Sequence, residues 1–365
     1  MTKQDFILSL VRAGLWQKKM DHFDMSPYEY RAVIQEAEKQ CVIGLVIDCL
    51  RMNNMGLKKK CVIHMMKMQN ALERDNRRLD DNVIALHNIL KENNIDYVVV
   101  KGQVVAALYP HPHMRVPGDI DFYVPSQFYN KAAQVLNNAW DLKLNGKSEK
   151  MHQDFKYNGS HFEIHRFLKY FPNSKRQQLF NEIIDRYPFV HSSVNGSEIQ
   201  TLNPTITVFY TFVHLYGHFI KMGVALRQVC DLAVLLHNYR EQIDSDLLQE
   251  LLGKFGFTSA FNAFGGIMVK KLGLPEEDFP LTLKSKDMKM GEKVLKLIWK
   301  HGNWGKYERS YSTSNKDTRY LFEKTFYRLH NHILFFRLSP KENLFMIFSE
   351  LPQKSLRIFR KVFKS

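Results

Sequence analysis

Apolar positions in the first 93 residues recur at spacings of three and four, the period of helices that bury one face. The stretch "SPYEYRAVIQEAEKQCVIGLVIDCL" (26–50) predicts one helix capped by Ser26 ahead of Pro27, and a second long helix is predicted over roughly 60–93. The period then shortens. "IDYVVVKG" (95–102) predicts a buried strand ending at Gly102, "QVVAALYP" (103–110) a short helix stopped by Pro110, "PHPHMRVPG" (110–118) a loop, and "DIDFYV" (119–124) a second strand. A helix over "QFYNKAAQVLNNAW" (127–140) precedes "DFKYNGSHFEIHRF" (154–167), whose Asn158-Gly159 supplies a tight turn between two alternating strands. After "TLNP" (201–204) the helical period returns. The pattern predicts an α+β chain with a helical region over 1–93, a small mixed-sheet unit over 94–202 and a helical domain over 203–365.

Composition narrows the classes. Hydrophobic content of 45% and aromatic content of 13% exclude a disordered chain, and no apolar run approaches the roughly 18 residues a membrane helix needs. The first twenty residues have helical spacing and no cleavage-site pattern, so a cytoplasmic location is expected. Cys41, Cys49, Cys61 and Cys230 form no CxxC pair, which fits reduced thiols without chemistry of their own. A net charge of +15 favours phosphate-bearing partners. Much of it sits in "LKKK" (57–60) and "QKSLRIFRKVFKS" (353–365), runs that read first as solvated basic faces; nucleic acid is compatible but no motif indicates it.

The candidate chemistry lies in "RVPGDIDFYV" (115–124). Strand alternation puts Asp119 and Asp121 on one face while Ile120 and Phe122 enter a core. Two carboxylates held that close repel unless a cation lies between them. Glu163, inside the apolar strand "HFEIHRF", is a third carboxylate, and three converging from neighbouring strands make the oxygen-rich site that divalent ions need for phosphoryl or nucleotidyl transfer. His165 shares the face of Glu163; it is either a proton acceptor or supporting ligand there, or a hydrogen-bonded sheet histidine.

With "KG" (101–102), "LYPHPHMRVPGDIDFYV" (108–124), "FEIH" (162–165), "HLYGHFIKMGVALRQVCDLAVLL" (214–236) and "GNWG" (302–305), the chain resembles the polymerase-beta-like nucleotidyltransferase superfamily, and more closely its bacterial, uncharacterised branch with flanking helical regions. The resemblance implies an enzyme that moves a nucleoside monophosphate from a nucleoside triphosphate to a hydroxyl or amine acceptor, with Mg2+ or Mn2+ as cofactor. It implies that Asp119 and Asp121 bind both metals, that Glu163 completes the catalytic one, and that the backbone of Gly102 approaches the triphosphate. The superfamily commonly carries Gly-Ser at that loop. Here Gln103 follows Gly102, so Lys101 and Arg115 are the candidates for the missing phosphate contact.

Two other readings stand beside it: a D-x-D sugar-nucleotide-dependent glycosyltransferase, against which the small sheet unit argues, and a catalytically silent fold that binds a partner, against which all three carboxylates argue. The helical region carries further candidates. His214, Arg227 and Asp231 are expected to face the cleft and hold nucleotide or acceptor; alternatively, Arg227 and Asp231 pair across an outer helix surface. His214 and His218 lie one turn apart, but the stretch lacks the glutamate and third ligand of a zinc site.

Overall fold

In the computed structural model, residues 2–53, 55–147, 152–171, 173–302, 326, 328–345 and 347–348 are described, and the architecture is α+β. The basic tail and Asn303–Gly305 of "GNWG" lie outside the described residues. The chain packs as two compact units. The first comprises residues 1–38, 42–211 and 234–242; the second comprises 39–41, 212–233 and 243–365.

In the first unit, helix α1 (Lys3–Trp16) precedes the short strand β1 (Asp24–Met25) and helix α2 (Pro27–Lys39). Ser26 starts α2 as expected: its hydroxyl accepts from the Glu29 amide, and the Glu29 carboxylate accepts from the Ser26 amide. The helix does not run on to residue 50. It breaks at Gln40 and Cys41, the latter left-handed at φ 52°, and resumes as α3 (Ile43–Met52). The cause is tertiary. Gln40 is fully buried in the second unit, where its side chain donates to the Ile298 carbonyl and accepts from the Leu226 amide, bonds that a continuous helix would forfeit.

Strand β2 (Gly56–Leu57) pairs with β1 and leads into α4 (Lys59–Glu92), the long helix the pattern predicts. The main sheet follows, from β3 (Val98–Val100), short helix α5 (Gly102–Ala106), β4 (Ile120–Tyr123), α6 (Ser126–Trp140), β5 (His152–Tyr157) and β6 (Ser160–His165). Its order is β3-β4-β6-β5, with β4 and β6 parallel and both outer pairs antiparallel. One face is apolar throughout: Ile120, Phe122, Phe162 and Ile164 are at most 2% exposed. Phe155 and Phe162 stack at 4.9 Å, and Trp140 reaches Phe162 at 5.3 Å. This burial dictates the register, because a one-residue slip would turn those four side chains to the opposite face.

Helix α7 (Ser174–Arg186) and a second hairpin, β7 (Val190–Val194) with β8 (Ser197–Thr201), complete the sheet region. The sequence pattern did not anticipate this hairpin. The Thr201 hydroxyl ties it to β3 by donating to the Val99 carbonyl at 2.8 Å.

Helices α8 (Pro204–Lys221) and α9 (Leu226–Asn238) each contribute to both units. The rest of the second unit is built on α10 (Ser245–Phe255), α11 (Thr258–Lys270) and α12 (Ser285–His301). Its core is aromatic: Phe212 meets Phe261 edge-on at 5.0 Å, and Phe219 meets Phe335 at the same distance. Among the described residues, no helix is long and apolar enough to cross a membrane. Cys41, Cys49, Cys61 and Cys230 form no disulfide.

Candidate active site

The parallel register of β4 and β6 sets Asp121 directly opposite Glu163, and the antiparallel register of β3 sets Val100 on the other side of Asp121. Lys101 follows Val100, so the chain leaving β3 brings its ammonium to the same face: Lys101 Nζ lies 2.9 Å from Asp121 Oδ2. His165 closes the other side, with Nε2 at 2.8 Å from Asp121 Oδ1 and 3.4 Å from Glu163 Oε2. Both neighbours are acceptors when ionised, so this nitrogen carries the proton.

The turn that delivers Lys101 is strained. Its backbone sits at φ 60°, ψ −149°, a region nearly reserved for glycine. Gly102 continues at φ 50°, where a Cβ would come within 3.3 Å of the Asp119 carbonyl oxygen. The β3 turn therefore presses on the strand that carries the aspartates, which leaves Gly102 no room for a side chain.

Burial and charge divide the carboxylates. Burial alone would push the Asp121 carboxyl up, but the Lys101 ammonium and the His165 hydrogen bond hold it well below the usual carboxylate range. Burial opposes the charge of Lys101, and Asp121 with Asp119 holds it above the usual lysine range. His165 likewise resists burial through Asp121 and Glu163, which raise its pKa. The hydrogen bond from His165 lowers Glu163. Asp119 behaves oppositely. Burial and then repulsion from Asp121 push its carboxyl up, so its negative charge is the least compensated of the three.

That imbalance, with the donor geometry, tests whether a cation fits. One ligand atom from each of Asp119, His161 and Glu163 lies within 4.8 Å of the others, and so does one from each of His152, Glu163 and His165. Carboxylate oxygens and imidazole nitrogens gathered around an undercompensated charge suit a divalent ion. His161 and His152 were not singled out from the sequence. His161 precedes Glu163 by two residues on the same strand face, a signal that was legible; His152 depends on its pairing with His165 across the hairpin.

The loop between β3 and β4 is held from behind by the N-terminal helices. Asp80 of α4 accepts from Gln103 Nε2 and contacts His113 Nε2 at 2.8 Å, while Asn76 Nδ2 donates to the carbonyls of His113 and Arg115 at 2.9 Å. Asp48 of α3 holds His111 Nδ1 at 2.8 Å. At Gly44 the same helix lies so close that a Cβ would collide with the Met114 carbonyl. Gln103 is therefore an anchor between α5 and α4. Arg115 is buried at 5% exposure, its carbonyl bound by Asn76.

Of the sequence candidates, the structure brings together Lys101, Gly102, Asp119, Asp121, Glu163 and His165. His214, Arg227 and Asp231 belong to the second unit. There the His214 and His218 rings lie 4.3 Å apart, and Asp231 is 6% exposed. An outer-surface pair between Arg227 and Asp231 is excluded, because Asp231 is not on the surface.

The small α+β unit thus gathers three carboxylates and a lysine around the β4–β6 pair. The chain belongs to a family of uncharacterised nucleotidyltransferases, whose model matches residues 26–270. No curated protein matches it. Among solved structures, it is similar to an antigenic nucleotidyltransferase-like protein from Paracoccidioides brasiliensis, at 12% identity over 58% of this chain and 97% of that one, with a TM-score of 0.35. That likeness is too slight to carry an argument.

Proposed function

We propose that the protein is a nucleotidyltransferase of the polymerase-beta-like kind, moving a nucleoside monophosphate from a nucleoside triphosphate to a hydroxyl or amine acceptor. The observation that carries this reading is the convergence of Asp119, Asp121 and Glu163 beside Lys101 on the polar face of the β4–β6 pair. Family membership supports it.

In this reading Asp119, Asp121 and Glu163 hold Mg2+ or Mn2+, with Asp119, the least compensated of the three charges, as the main attraction. When bound, such an ion lowers the pKa of the attacking group and offsets charge on the triphosphate. The protein's own residues do the rest. Lys101 exchanges part of its contact with Asp121 for a phosphate oxygen, and the tight turn at Gly102 offers backbone rather than a side chain to the phosphates. Arg115 is the second proposed phosphate contact. His165 fixes the orientation of Asp121 and Glu163 by donating to both.

The test is incubation of the protein, Mg2+ or Mn2+ and a cell extract with each nucleoside triphosphate, labelled in parallel at the α or the γ phosphate. Transfer of α label to an acceptor, with release of pyrophosphate, is the expected result. Transfer of γ label would mean a kinase. Nucleotide binding without any transfer would favour the silent fold.

A further inference from the structure

The second cluster on the polar face has a different chemistry from the first. We infer that His152, Glu163 and His165 form a separate position for a first-row transition metal of the zinc or cobalt type. It shares Glu163 with the proposed transfer site but does not depend on nucleotide transfer.

Three features carry the inference. The hairpin register places His152 directly across from His165, with ring centroids 5.4 Å apart, so two imidazoles approach from adjacent strands. Glu163, two residues before His165 on the same face, brings a carboxylate, and one ligand atom from each of the three lies within 4.8 Å of the others. In a tetrahedral site with bonds of about 2.1 Å, ligand atoms sit roughly 3.4 Å apart. Glu163 Oε2 and His165 Nε2 already lie 3.4 Å apart, so the remaining adjustment falls to His152, whose side chain is 43% exposed. Third, Asp154 Oδ1 stands 3.6 Å from His152 Nε2, outside hydrogen-bond range but on the same strand face, so a carboxylate is at hand for the ring nitrogen that a metal on Nδ1 leaves facing outward.

Donor type decides selectivity. Two imidazoles with one carboxylate suit zinc, cobalt and nickel, whereas Mg2+ prefers oxygen donors and retained water. Binding at His165 Nε2 displaces the proton that this nitrogen now shares between Asp121 and Glu163. Asp121 keeps Lys101 on its other oxygen at 2.9 Å, so it is not left buried without a partner.

The experiment titrates the full-length metal-free protein with Co2+ and follows the visible d–d absorption, then competes with Zn2+ and with Mg2+. Expected are bands of a nitrogen-ligated ion, displacement by equimolar Zn2+, and none by equimolar Mg2+. His152→Ala, at an exposed position, should weaken Co2+ binding by more than about tenfold, the scale already lost when only a supporting partner of a ligand is removed. His161→Ala, which touches only the other cluster, should not. His152→Asn is the second variant if the first melts below the wild type. Unchanged Co2+ affinity in both His152 variants, or displacement of Co2+ by equimolar Mg2+, would overturn the inference. Absence of any Co2+ band in the wild type would do so too, while leaving the Mg2+-supported transfer assay to judge the proposed function separately.

Discussion

The two faces of the β4–β6 pair are built from alternate residues of the same two short strands, yet they obey opposite rules. On one side Ile120, Phe122, Phe162 and Ile164 are removed from water and stacked against aromatic neighbours. On the other, Asp121 and His165 are nearly as enclosed and Glu163 is partly exposed, and Lys101 with mutual hydrogen bonds keeps the charges tolerable. The apolar face fixes the register; the polar face inherits its geometry from that register at a cost in self-repulsion. Stability and proposed function should therefore respond differently to substitution on the two sides.

The largest effect is expected on the apolar side. Phe162→Ala should destabilise the first unit by about 3–5 kcal/mol in urea denaturation, because it empties a fully enclosed aromatic site. Asp121→Asn comes next, since it removes the ion pair between Asp121 and Lys101. A loss of about 2–3 kcal/mol is expected, below that for a fully buried pair because Lys101 keeps 16% of its side chain exposed. Asp119→Asn should move the other way. Removing a carboxylate repelled by Asp121 should leave the melting temperature unchanged or raise stability by up to about 1 kcal/mol, the behaviour of a site held in place by function.

Smaller effects test how the sheet is supported. Asn82 of α4 donates to Ser160 Oγ at 2.7 Å and accepts from Asn158 Nδ2 at 3.0 Å, clamping the hairpin turn that leads into β6. Asn82→Ala should cost about 1 kcal/mol or somewhat more in chemical denaturation, and hydrogen exchange should show β5 and β6 loosening before β3. The smallest effect concerns pH. Tyr129 of α6 is buried and its phenol is raised above the ordinary value, with burial as the main cause. The folded state thus favours the neutral phenol, so this contribution is complete below the ordinary phenol pKa of about 10 and is lost as pH rises through the raised folded value. Tyr129→Phe should flatten the alkaline limb of the stability curve while changing little at neutral pH.

Much of this was legible from pattern alone. Strict alternation in "DIDFYV" and "HFEIH" separated the two faces, and Asn158-Gly159 announced the hairpin turn, where the backbone takes φ 43° and 69°. Asn195-Gly196 carries the same signal at φ 48° and 81° and joins β7 to β8. Its flanking strands, Val-His-Ser-Ser-Val and Ser-Glu-Ile-Gln-Thr, hold few apolar residues, so the turn stands without the apolar alternation that marks a half-buried hairpin. The break at Gln40 could not be read locally, since its cause is contact with residues more than 180 positions away. Gln103 shows the same limit: the sequence says only that it stands where the superfamily commonly has serine, and only the fold reveals Asp80 as its partner. The part played by His152 depends on strand pairing, which no single strand records.

The central claim is that the strain on the polar face serves transfer, and Asp119→Asn isolates it. The decisive measurement compares wild type and Asp119→Asn for transfer of α-phosphate label from a nucleoside triphosphate in Mg2+, alongside their melting temperatures. The account predicts labelled acceptor with the wild type and none with the variant, whose melting temperature equals or exceeds that of the wild type. Equal labelling by both proteins would contradict it.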